Sequence, residues 1–338
     1  LRKQKPRGSS TMAPPNPTVS PEPFPGLTVL GPEACTQALP YPALIRALAN
    51  GFAAGAVASA PRQHVGAGPG REALLGLAWQ EGGALGLKAL TLFPGNPARG
   101  LPQIQGLYTL FDGETGAPRA ILDAGTLTER RTAATSALAA QHLARSDAAH
   151  LLVLGTGRLA RALPEAYLAV RPLTQVTVWG RRGDAVAETV RDLRERFPAL
   201  AIEAASDLEA AVGACDIVTS ALPSETPVLS SAWLRPGQHV DLIGSYRPTM
   251  AEIDGGALRR ATVFVDTEAG AWAEAGELIQ AEATGQFSRE EVAGTLSDLA
   301  GGHHPGRQSP EEITLFKAAG SAAADYFAAA LALASAAP

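Results

Sequence analysis

A glycine-rich turn near the middle of the chain carries the residue types that bind phosphate groups. An apolar run over residues 151–154 predicts a short buried strand. The six residues that follow it have the spacing G-x-G-x-x-A: Gly155, Thr156, Gly157, Arg158, Leu159 and Ala160. Gly155 permits a sharp turn, Gly157 lets a phosphate approach the backbone, and Ala160 lets the next helix pack closely on the strand. Because the start of that helix offers free N–H groups to an anion, the pattern predicts a Rossmann domain that binds a dinucleotide.

The residues after the next predicted strand bear on the choice of cofactor. That strand, over residues 176–179, is followed by Gly180, Arg181 and Arg182, and no acidic residue occurs before Asp184. Sites for NAD usually carry an acidic residue here that binds the ribose hydroxyls, whereas two arginines can pair with a 2′-phosphate. We therefore predict NADPH, with NADH as the second choice; the alternative is that one arginine stacks on the adenine and selectivity is loose. Four residues at the ends of later strands are expected to line the nicotinamide side: Thr219, Ala221, Leu222 and Ser245.

The order of the predicted elements indicates an α/β protein. From residue 150 onwards strands and helices alternate, which is typical of a parallel sheet with right-handed crossovers. The first 125 residues instead predict helical segments, among them one over residues 34–55, and then antiparallel strands with a hairpin turn at residues 113–116. A helix capped at residues 126–128 follows. A long C-terminal helix is predicted to begin at Ser309 and to pack back on the first domain.

Composition argues against several classes of function. The 338 residues have a net charge of −5, with 46% hydrophobic and 18% charged residues, which speaks against a nucleic-acid partner. No apolar run is long enough to span a bilayer and no secretory signal is visible, so we predict a cytoplasmic protein without membrane contact. Cys35 and Cys215 lie far apart and are expected to be buried thiols in a reducing compartment.

No metal site is predicted. Asp216, Asp241 and Asp266 are most simply explained as strand-end or turn residues. His303 and His304 lie in a Gly/Pro loop without metal-ligand spacing.

Six short motifs occur in a characteristic order along the chain. They are Lys88 in Gly-Leu-Lys-Ala-Leu-Thr, Phe93-Pro-Gly-Asn96, Leu110-Phe-Asp112 with Thr115-Gly116, Thr128-Glu-Arg-Arg131-Thr-Ala-Ala134, the turn at residues 155–157, and Glu312-Ile-Thr-Leu-Phe-Lys317. In this order the chain, from about residue 27, resembles the ornithine cyclodeaminase/mu-crystallin family. The resemblance implies a Rossmann domain plus a mixed α/β domain that forms the homodimer and is closed by the C-terminal helix.

With this resemblance the chain divides into three predicted parts. Residues 1–24 are expected to form a disordered leader, with Met12 as a candidate start. Residues 25–130 plus 309–338 are expected to form the substrate and dimerisation domain, and residues 131–308 the Rossmann domain.

The stretch around Tyr246 bears on the reaction, because members of the family perform different chemistry. In the cyclodeaminases the position that matches Tyr246 is an aspartate that handles the substrate amine, and neither Ser245 nor Arg247 can replace it. The form Gly-Ser-Tyr-Arg-Pro-Thr-Met resembles the bacterial pyrroline-2-carboxylate/piperideine-2-carboxylate reductases. The resemblance therefore implies NAD(P)H-dependent reduction of a small cyclic imino acid, a ketimine, to L-proline or L-pipecolate.

Arg62, Lys88 and Arg131 match the family's positions for the substrate carboxylate. A carboxylate needs cationic donors in fixed geometry, and holding it places the C=N carbon for hydride transfer. The alternative for each cation is a structural ion pair, which the motifs disfavour for Lys88 and Arg131 and less firmly for Arg62. Tyr246 is expected either to bind the ring nitrogen or to form a plain pocket wall. His64 can face the same side of a strand as Arg62, but a lone histidine is more often structural.

Three other functions stay open at this point. They are an ornithine cyclodeaminase, an alanine dehydrogenase-like enzyme, and a non-catalytic binder of NADPH and a small ligand. The size of the substrate ring is undecided, since one methylene changes affinity little in an apolar pocket. Lys317 is expected to lie in the returning helix, either in a structural role or in support of residues that contact the substrate, and not as a catalyst.

Overall fold

The computed structural model describes residue 24 and residues 26–336. The predicted leader and Met12 lie outside these residues, apart from Phe24. Within the described part of the chain, no helix is both long and apolar enough to cross a membrane. The same residues contain no group of three or more His, Cys, Asp and Glu side chains that could hold a metal ion. Cys35 and Cys215 are both buried free thiols.

The amino-terminal part of the chain builds a seven-stranded sheet and two helices. The elements are β1 (Thr28–Leu30), α1 (Pro32–Ala38), α2 (Tyr41–Ala54), β2 (Val57–Ser59), β3 (Gln63–Gly66), β4 (Glu72–Gln80), β5 (Ala84–Leu92), β6 (Ile104–Asp112) and β7 (Pro118–Asp123). The strand order is β1-β7-β6-β5-β4-β2, with β3 also paired to β4. Only the β1–β7 pairing is parallel among these strands, and the predicted hairpin between β6 and β7 is confirmed.

Two helix boundaries differ from the sequence prediction. The helix predicted over residues 34–55 is two helices, because Pro40 has no N–H to continue the first and stands as N-cap of the second. The next helix, α3 (Ala124–Leu143), is capped by Asp123, whose carboxylate accepts a hydrogen bond from the Thr126 N–H at 2.7 Å. The cap predicted at residues 126–128 was therefore wrong. α3 is buried along most of its length and contacts both sheets, so it can place residues between them.

The second sheet confirms the predicted Rossmann fold. Its elements are β8 (His150–Leu154), α4 (Arg158–Leu168), β9 (Gln175–Trp179), α5 (Gly183–Arg196), β10 (Ala201–Ala204), α6 (Leu208–Ala214), β11 (Ile217–Ser220), β12 (His239–Leu242), α7 (Gly256–Arg260), β13 (Thr262–Val265), α8 (Glu268–Glu274), α9 (Gly276–Ala283), β14 (Val292–Thr295), α10 (Leu296–Ala300) and β15 (Thr314–Lys317). All eight strands are parallel, in the order β10-β9-β8-β11-β12-β15-β13-β14. The order reverses at β8, and the ends of β8 and β11 there define the crevice where such sheets bind ligands.

The C-terminal helix begins later than the sequence predicts. The helix predicted from Ser309 is wrong, because residues 314–317 form β15, a fully buried strand between β12 and β13. Lys317 is the last residue of that strand. The chain then returns to the first sheet as α11 (Ala322–Ala336), which packs on α2, α3 and strands β4 to β6. Closure of the first domain by the C-terminal helix is thus confirmed, whereas the exact domain division stays a prediction.

Candidate active site

Three predicted cations meet at a cavity between the two sheets. The cavity has a volume of about 240 Å³. Its polar side chains come from the residue before β3, from β5, from α3 and from the segment after β12: Arg62, Lys88, Thr128, Arg131 and Tyr246. Apolar side chains complete it: Leu74, Leu90, Leu92, Ile104, Leu159 and Ile243. A small apolar ring with one anionic group matches this mixture of walls.

Lys88 and Arg131 share one buried carboxylate. Lys88 Nζ lies 2.5 Å from Asp325 Oδ2, and Arg131 Nε lies 2.7 Å from Asp325 Oδ1. The side chains of Lys88, Arg131 and Asp325 are 4%, 5% and 2% exposed, so water screens these contacts little. Neither terminal nitrogen of Arg131 has a hydrogen-bond partner among residues 24 and 26–336. Arg131 therefore presents a free guanidinium edge in the wall of the cavity.

The charge state of Lys88 is unusual for a lysine. Burial lowers its pKa to about 7; Asp325 opposes this shift, while Arg131 and Arg62 add to it. Asp325 has a pKa below its ordinary value, because the charges of Arg131 and Lys88 outweigh the effect of burial. Near neutral pH, Lys88 thus holds both protonated and neutral forms beside an ionised carboxylate.

Arg62 is more fully occupied than the other two cations. Its Nη1 lies 2.8 Å from Glu274 Oε2, and its Nη2 donates to the carbonyls of Gly320 at 2.6 Å and Ala319 at 3.3 Å. These contacts join the first sheet to α8 and to the segment after β15. The structural ion pair considered for Arg62 is present, and any role in binding substrate stays a prediction.

Tyr246 lines the cavity, whereas His64 is not part of its wall. Tyr246 is half-buried in the cavity wall, with the Arg247 guanidinium 5.5 Å from its ring centroid. Arg247 Nη2 lies 2.6 Å from Glu72 Oε2. His64 Nδ1 contacts Glu72, and its Nε2 lies 3.8 Å from Glu274 Oε1. His64 thus belongs to a chain of polar contacts between the first sheet and the segments after β12 and in α8, which supports its structural interpretation.

The glycine turn has the geometry that a dinucleotide pyrophosphate requires. Gly155 has φ +125°, a conformation that side chains rarely adopt. Gly157 is the N-cap of α4, and a Cβ added there would meet nothing within 4 Å, so the approach to its backbone is open. At Gly180 a Cβ would lie 3.0 Å from Thr156 Cγ2, which shows how closely the two loops pass. The open backbone and the helix N-terminus fit a pyrophosphate.

The charged residues predicted at the cofactor site lie at the surface. Arg181 and Arg182 are both exposed, and Arg182 Nε lies 3.9 Å from Asp184 Oδ1. Arg158 is paired with Glu129 of α3, at 2.8 Å between Nε and Oε2. The role of Arg181 and Arg182 in cofactor binding stays a prediction.

Two residues expected at the nicotinamide side point their hydroxyls into buried hydrogen bonds. Thr219 Oγ1 donates to Asp241 Oδ2 at 2.5 Å. Ser245 Oγ donates to the Glu277 carboxylate at 2.7 Å, and both residues are fully buried. Ala221 and Leu222 follow β11 close to the glycine turn, with the Ala221 carbonyl 3.4 Å from a Cβ placed on Gly155. All four remain candidates, although the N–H and the carbonyl of Ser245 are already used by Glu252 and Lys317.

A second buried ionic cluster went unpredicted. Lys317 Nζ lies 3.3 Å from Glu252 Oε2 and 3.4 Å from Glu277 Oε2, and donates to the Ser245 carbonyl at 2.9 Å. Glu252 also accepts hydrogen bonds from two backbone N–H groups after β12, those of Gly244 at 2.8 Å and Ser245 at 2.9 Å. This cluster fixes the strand ends that border the site.

Asp325 went unpredicted as well, although a local signal existed. It is the only charged residue among residues 322–336, in a helix otherwise rich in Ala and Leu. A lone acid on an apolar helix is normally buried only with a cationic partner.

A parallel Rossmann sheet, a glycine turn shaped for a pyrophosphate and a neighbouring cavity with clustered cations together define a dinucleotide-dependent enzyme. A family model described as the ornithine cyclodeaminase/mu-crystallin family matches residues 40–336, so the chain belongs to that family. This result confirms the family inferred from the motifs.

Proteins similar to this chain include two named reductases and an alanine dehydrogenase. Delta(1)-pyrroline-2-carboxylate reductase of Paracoccus denitrificans (strain Pd 1222) is 45% identical over 249 residues, which cover 73% of this chain and 78% of that protein. The solved structure of Thermococcus litoralis Delta(1)-pyrroline-2-carboxylate reductase with NADH and L-proline gives a TM-score of 0.87 at 25% identity, covering 91% of this chain and 97% of that one. An archaeal alanine dehydrogenase dimer with bound NAD gives a TM-score of 0.85 at 29% identity, covering 92% and 96%, respectively.

Proposed function

We propose that this protein is an NAD(P)H-dependent reductase of cyclic ketimines, which converts pyrroline-2-carboxylate or piperideine-2-carboxylate to L-proline or L-pipecolate. The observation that carries the proposal is the buried Lys88–Asp325–Arg131 cluster, which faces a small apolar cavity beside the dinucleotide turn. Relatives named for this reaction support the same conclusion.

The free edge of Arg131 suits a carboxylate, because two parallel N–H donors match its two oxygens. Lys88, which is held by the same aspartate, adds a second cationic donor. The apolar side chains Leu90, Leu92 and Ile243 would hold the ring methylenes and exclude water. A reduced nicotinamide, when bound, supplies a hydride. The residues of the chain then have to hold the imine carbon in place and keep a proton on the ring nitrogen.

Lys88 is suited to supply the proton on the ring nitrogen and to recover it. A group whose pKa lies near the working pH can give and recover a proton with little cost in either direction. Tyr246 lies in the same cavity wall but carries no carboxylate, so it cannot act as the amine base that a cyclodeaminase needs.

Turnover measurements test the proposal directly. NADPH and NADH oxidation should be followed with pyrroline-2-carboxylate and with piperideine-2-carboxylate. We expect rapid oxidation with at least one of them, and formation of the L-amino acid. Ammonia release from L-ornithine would indicate the cyclodeaminase, and oxidation with pyruvate plus ammonia but not with the cyclic imines would indicate the alanine dehydrogenase. Cofactor binding without any turnover would indicate the non-catalytic binder.

NADPH is proposed as the preferred cofactor. Arg181 and Arg182 follow β9, and Asp184 is the first acidic residue after it. Replacement of both arginines by alanine should lower the ratio of kcat/KM for NADPH to that for NADH by about tenfold or more, since each charged hydrogen bond contributes about 1.5–3 kcal/mol. A ratio that does not change would argue that the arginines do not contact the phosphate.

We also propose a homodimer formed through the outer face of the first sheet. Helices α3 and α11 pack on one face of this sheet. Along β4 and β5 buried residues alternate with less buried ones, so the less buried side chains lie on the other, open face. Apolar side chains dominate that open face, including Leu75, Leu77, Leu85, Leu87, Leu107 and Phe111. Leu107 is 53% exposed, which is high for a leucine in a central strand. Light scattering should give twice the mass of the chain, and Leu107→Glu should shift it toward the monomer.

A further inference from the structure

Asp325 lies where three separate elements converge on the cavity. It belongs to the first turn of α11, while Lys88 belongs to β5 and Arg131 to α3. Both carboxylate oxygens are used, one for each cation, at 2.5 Å and 2.7 Å. Among the carboxylates near the three cations, Glu274 pairs with Arg62, and Asp266 accepts hydrogen bonds from the backbone N–H groups of neighbouring segments. Asp325 is the one in direct contact with two of the cations.

The way Asp325 binds Arg131 determines which part of the guanidinium stays available. Asp325 takes the Nε–H, and so it leaves both terminal nitrogens free of partners in the described residues. A carboxylate that bound the guanidinium from its other edge would instead occupy the donors that suit a substrate carboxylate. On the same side chain, Oδ2 holds the Lys88 ammonium. A single aspartate thus fixes the relative position of two donors that come from different elements.

We infer that Asp325 is a positioning residue for the reductase, which holds the Lys88 ammonium and the Arg131 guanidinium in the arrangement that receives the substrate carboxylate. This inference rests on the proposed function. Asp325 need not touch the substrate, because it acts through its two cationic partners. The placement on α11 also makes carboxylate binding depend on docking of the C-terminal helix on the first sheet.

Asp325→Asn is the direct test, because it keeps the shape and removes the charge. An amide can accept through its oxygen from one cation, but its NH₂ group would then face the other. We expect KM for the cyclic imino acid to rise and kcat/KM to fall by about 10²-fold, as for loss of one partner of a buried charge pair. The KM for NADPH should stay unchanged. An unchanged KM for the imino acid in folded Asp325→Asn protein would overturn the inference.

The neighbouring residue Tyr326 provides a matched control. It lies on the same helix, is 5% exposed, and its hydroxyl accepts a hydrogen bond from the Ala84 N–H at 3.2 Å. Tyr326→Phe removes this buried polar contact of α11 without touching the cations. We expect its KM for the imino acid to stay within about twofold of the wild type. An increase as large as in Asp325→Asn would assign the effect to helix docking alone and overturn the inference.

Carboxylate binding can also be measured without turnover. Pyrrole-2-carboxylate has a planar five-membered ring and a carboxylate but no C=N bond that takes a hydride. Because the chain has only four lysines, ¹⁵N labelling of lysine gives a simple spectrum in which Lys88 can be followed. The probe should shift the Lys88 signal in the wild type and bind Asp325→Asn about 10²-fold more weakly. Equal affinity for the two proteins would contradict the inference.

Asp325→Glu covers the case in which the asparagine variant does not fold. It keeps the charge but moves the carboxylate by one methylene, so we expect folded protein with a KM about tenfold above the wild type. A wild-type KM in this variant would overturn the positioning role. Absence of imino acid turnover in the wild type would count against the proposed function, whereas turnover with an unaltered KM in the Asp325 variants would count against this inference alone.

Discussion

Two buried lysines of this chain lie in opposite surroundings. Lys88 shares one carboxylate with Arg131 and lies near Arg62, so cations outnumber the anions that it contacts. Lys317 is the reverse case, a single cation between Glu252 and Glu277. Both side chains are almost fully buried, at 4% and 1% exposure. The same residue type, equally removed from water, is therefore placed in clusters of opposite charge balance.

The direction of each pKa shift reflects that balance. Burial lowers the pKa of Lys88 to about 7, because Asp325 alone does not offset desolvation and two neighbouring arginines. Burial also acts to lower the pKa of Lys317, but the charges of Glu277 and Glu252 outweigh it and raise the pKa above the ordinary value. The first cluster opens on the cavity and the second is closed by backbone N–H donors. Under the proposed function, the first cluster therefore serves binding and the second serves stability.

The largest effect that separates the two clusters should appear in stability. Lys317→Met would leave two buried carboxylates without a cation, and we expect a loss of about 3–5 kcal/mol in the free energy of unfolding. Lys88→Met would leave Asp325 paired with Arg131, so we expect a change within about 1 kcal/mol. Denaturant unfolding of both variants measures this. Similar losses for the two would remove the distinction drawn between the clusters.

Adjacent arginines on α3 allow the same comparison within one helix. Arg131 faces the cavity, whereas Arg130 donates to the Leu39 carbonyl and stacks over Tyr41, with Cζ 3.7 Å from the ring centroid. Arg131→Lys loses the forked donor geometry, and we expect kcat/KM for the imino acid to fall about 10–10²-fold. Arg130→Lys should change kcat/KM less than about twofold but lower the melting temperature. Steady-state kinetics and thermal unfolding on both variants check this, and equal kinetic losses would contradict it.

Much of the second sheet could be predicted from local sequence, but β15 could not. Strands such as β9 and β11 are short, mainly apolar runs separated by helices, and their alternation implies parallel crossovers. Residues 309–312, Ser-Pro-Glu-Glu, have the composition of a helix start, and the four residues of β15 are too few to show a period. The place of β15 between β12 and β13 depends on the path of the whole chain, which no local pattern encodes.

The cations of the candidate site could be predicted from the sequence, but the carboxylate that holds two of them could not. Arg62, Lys88 and Arg131 were identified by resemblance, since nothing in their spacing implies that they meet. A lone aspartate in an apolar helix indicates a buried charge, but not that Asp325 would pair with two residues from β5 and α3. Ser245 was likewise named as a candidate because it follows a strand. Its place after the strand did not indicate the direction of its hydroxyl, which is bound to Glu277. Long-range pairing of this kind is determined by packing.

The smallest effect concerns pH, and it tests the charge balance around Lys88 itself. Because Lys88 is protonated below its pKa of about 7 and neutral above it, its attraction for a carboxylate should weaken as the pH rises through 7. Pyrrole-2-carboxylate stays ionised over this range. Its Kd should rise by up to tenfold per pH unit, and the rise should end when only the contribution of Arg131 to binding remains. The groups that face Lys88 are the Asp325 carboxylate and the guanidinium groups of Arg131 and Arg62. Asp325 stays ionised in this window, because the charges of Arg131 and Lys88 hold its pKa below its ordinary value.

The ¹⁵N signals of the two lysines provide the internal comparison for that titration. Lys88 should titrate near neutrality, while Lys317 should show no change up to pH 9 because its pKa is raised. Bound pyrrole-2-carboxylate adds a negative charge beside Lys88, so saturation with it should move the Lys88 midpoint to higher pH. A midpoint for Lys88 that lies above pH 9 in the free protein would show that Asp325 dominates over burial and the arginines. The two clusters would then differ in access to the cavity and not in electrostatics.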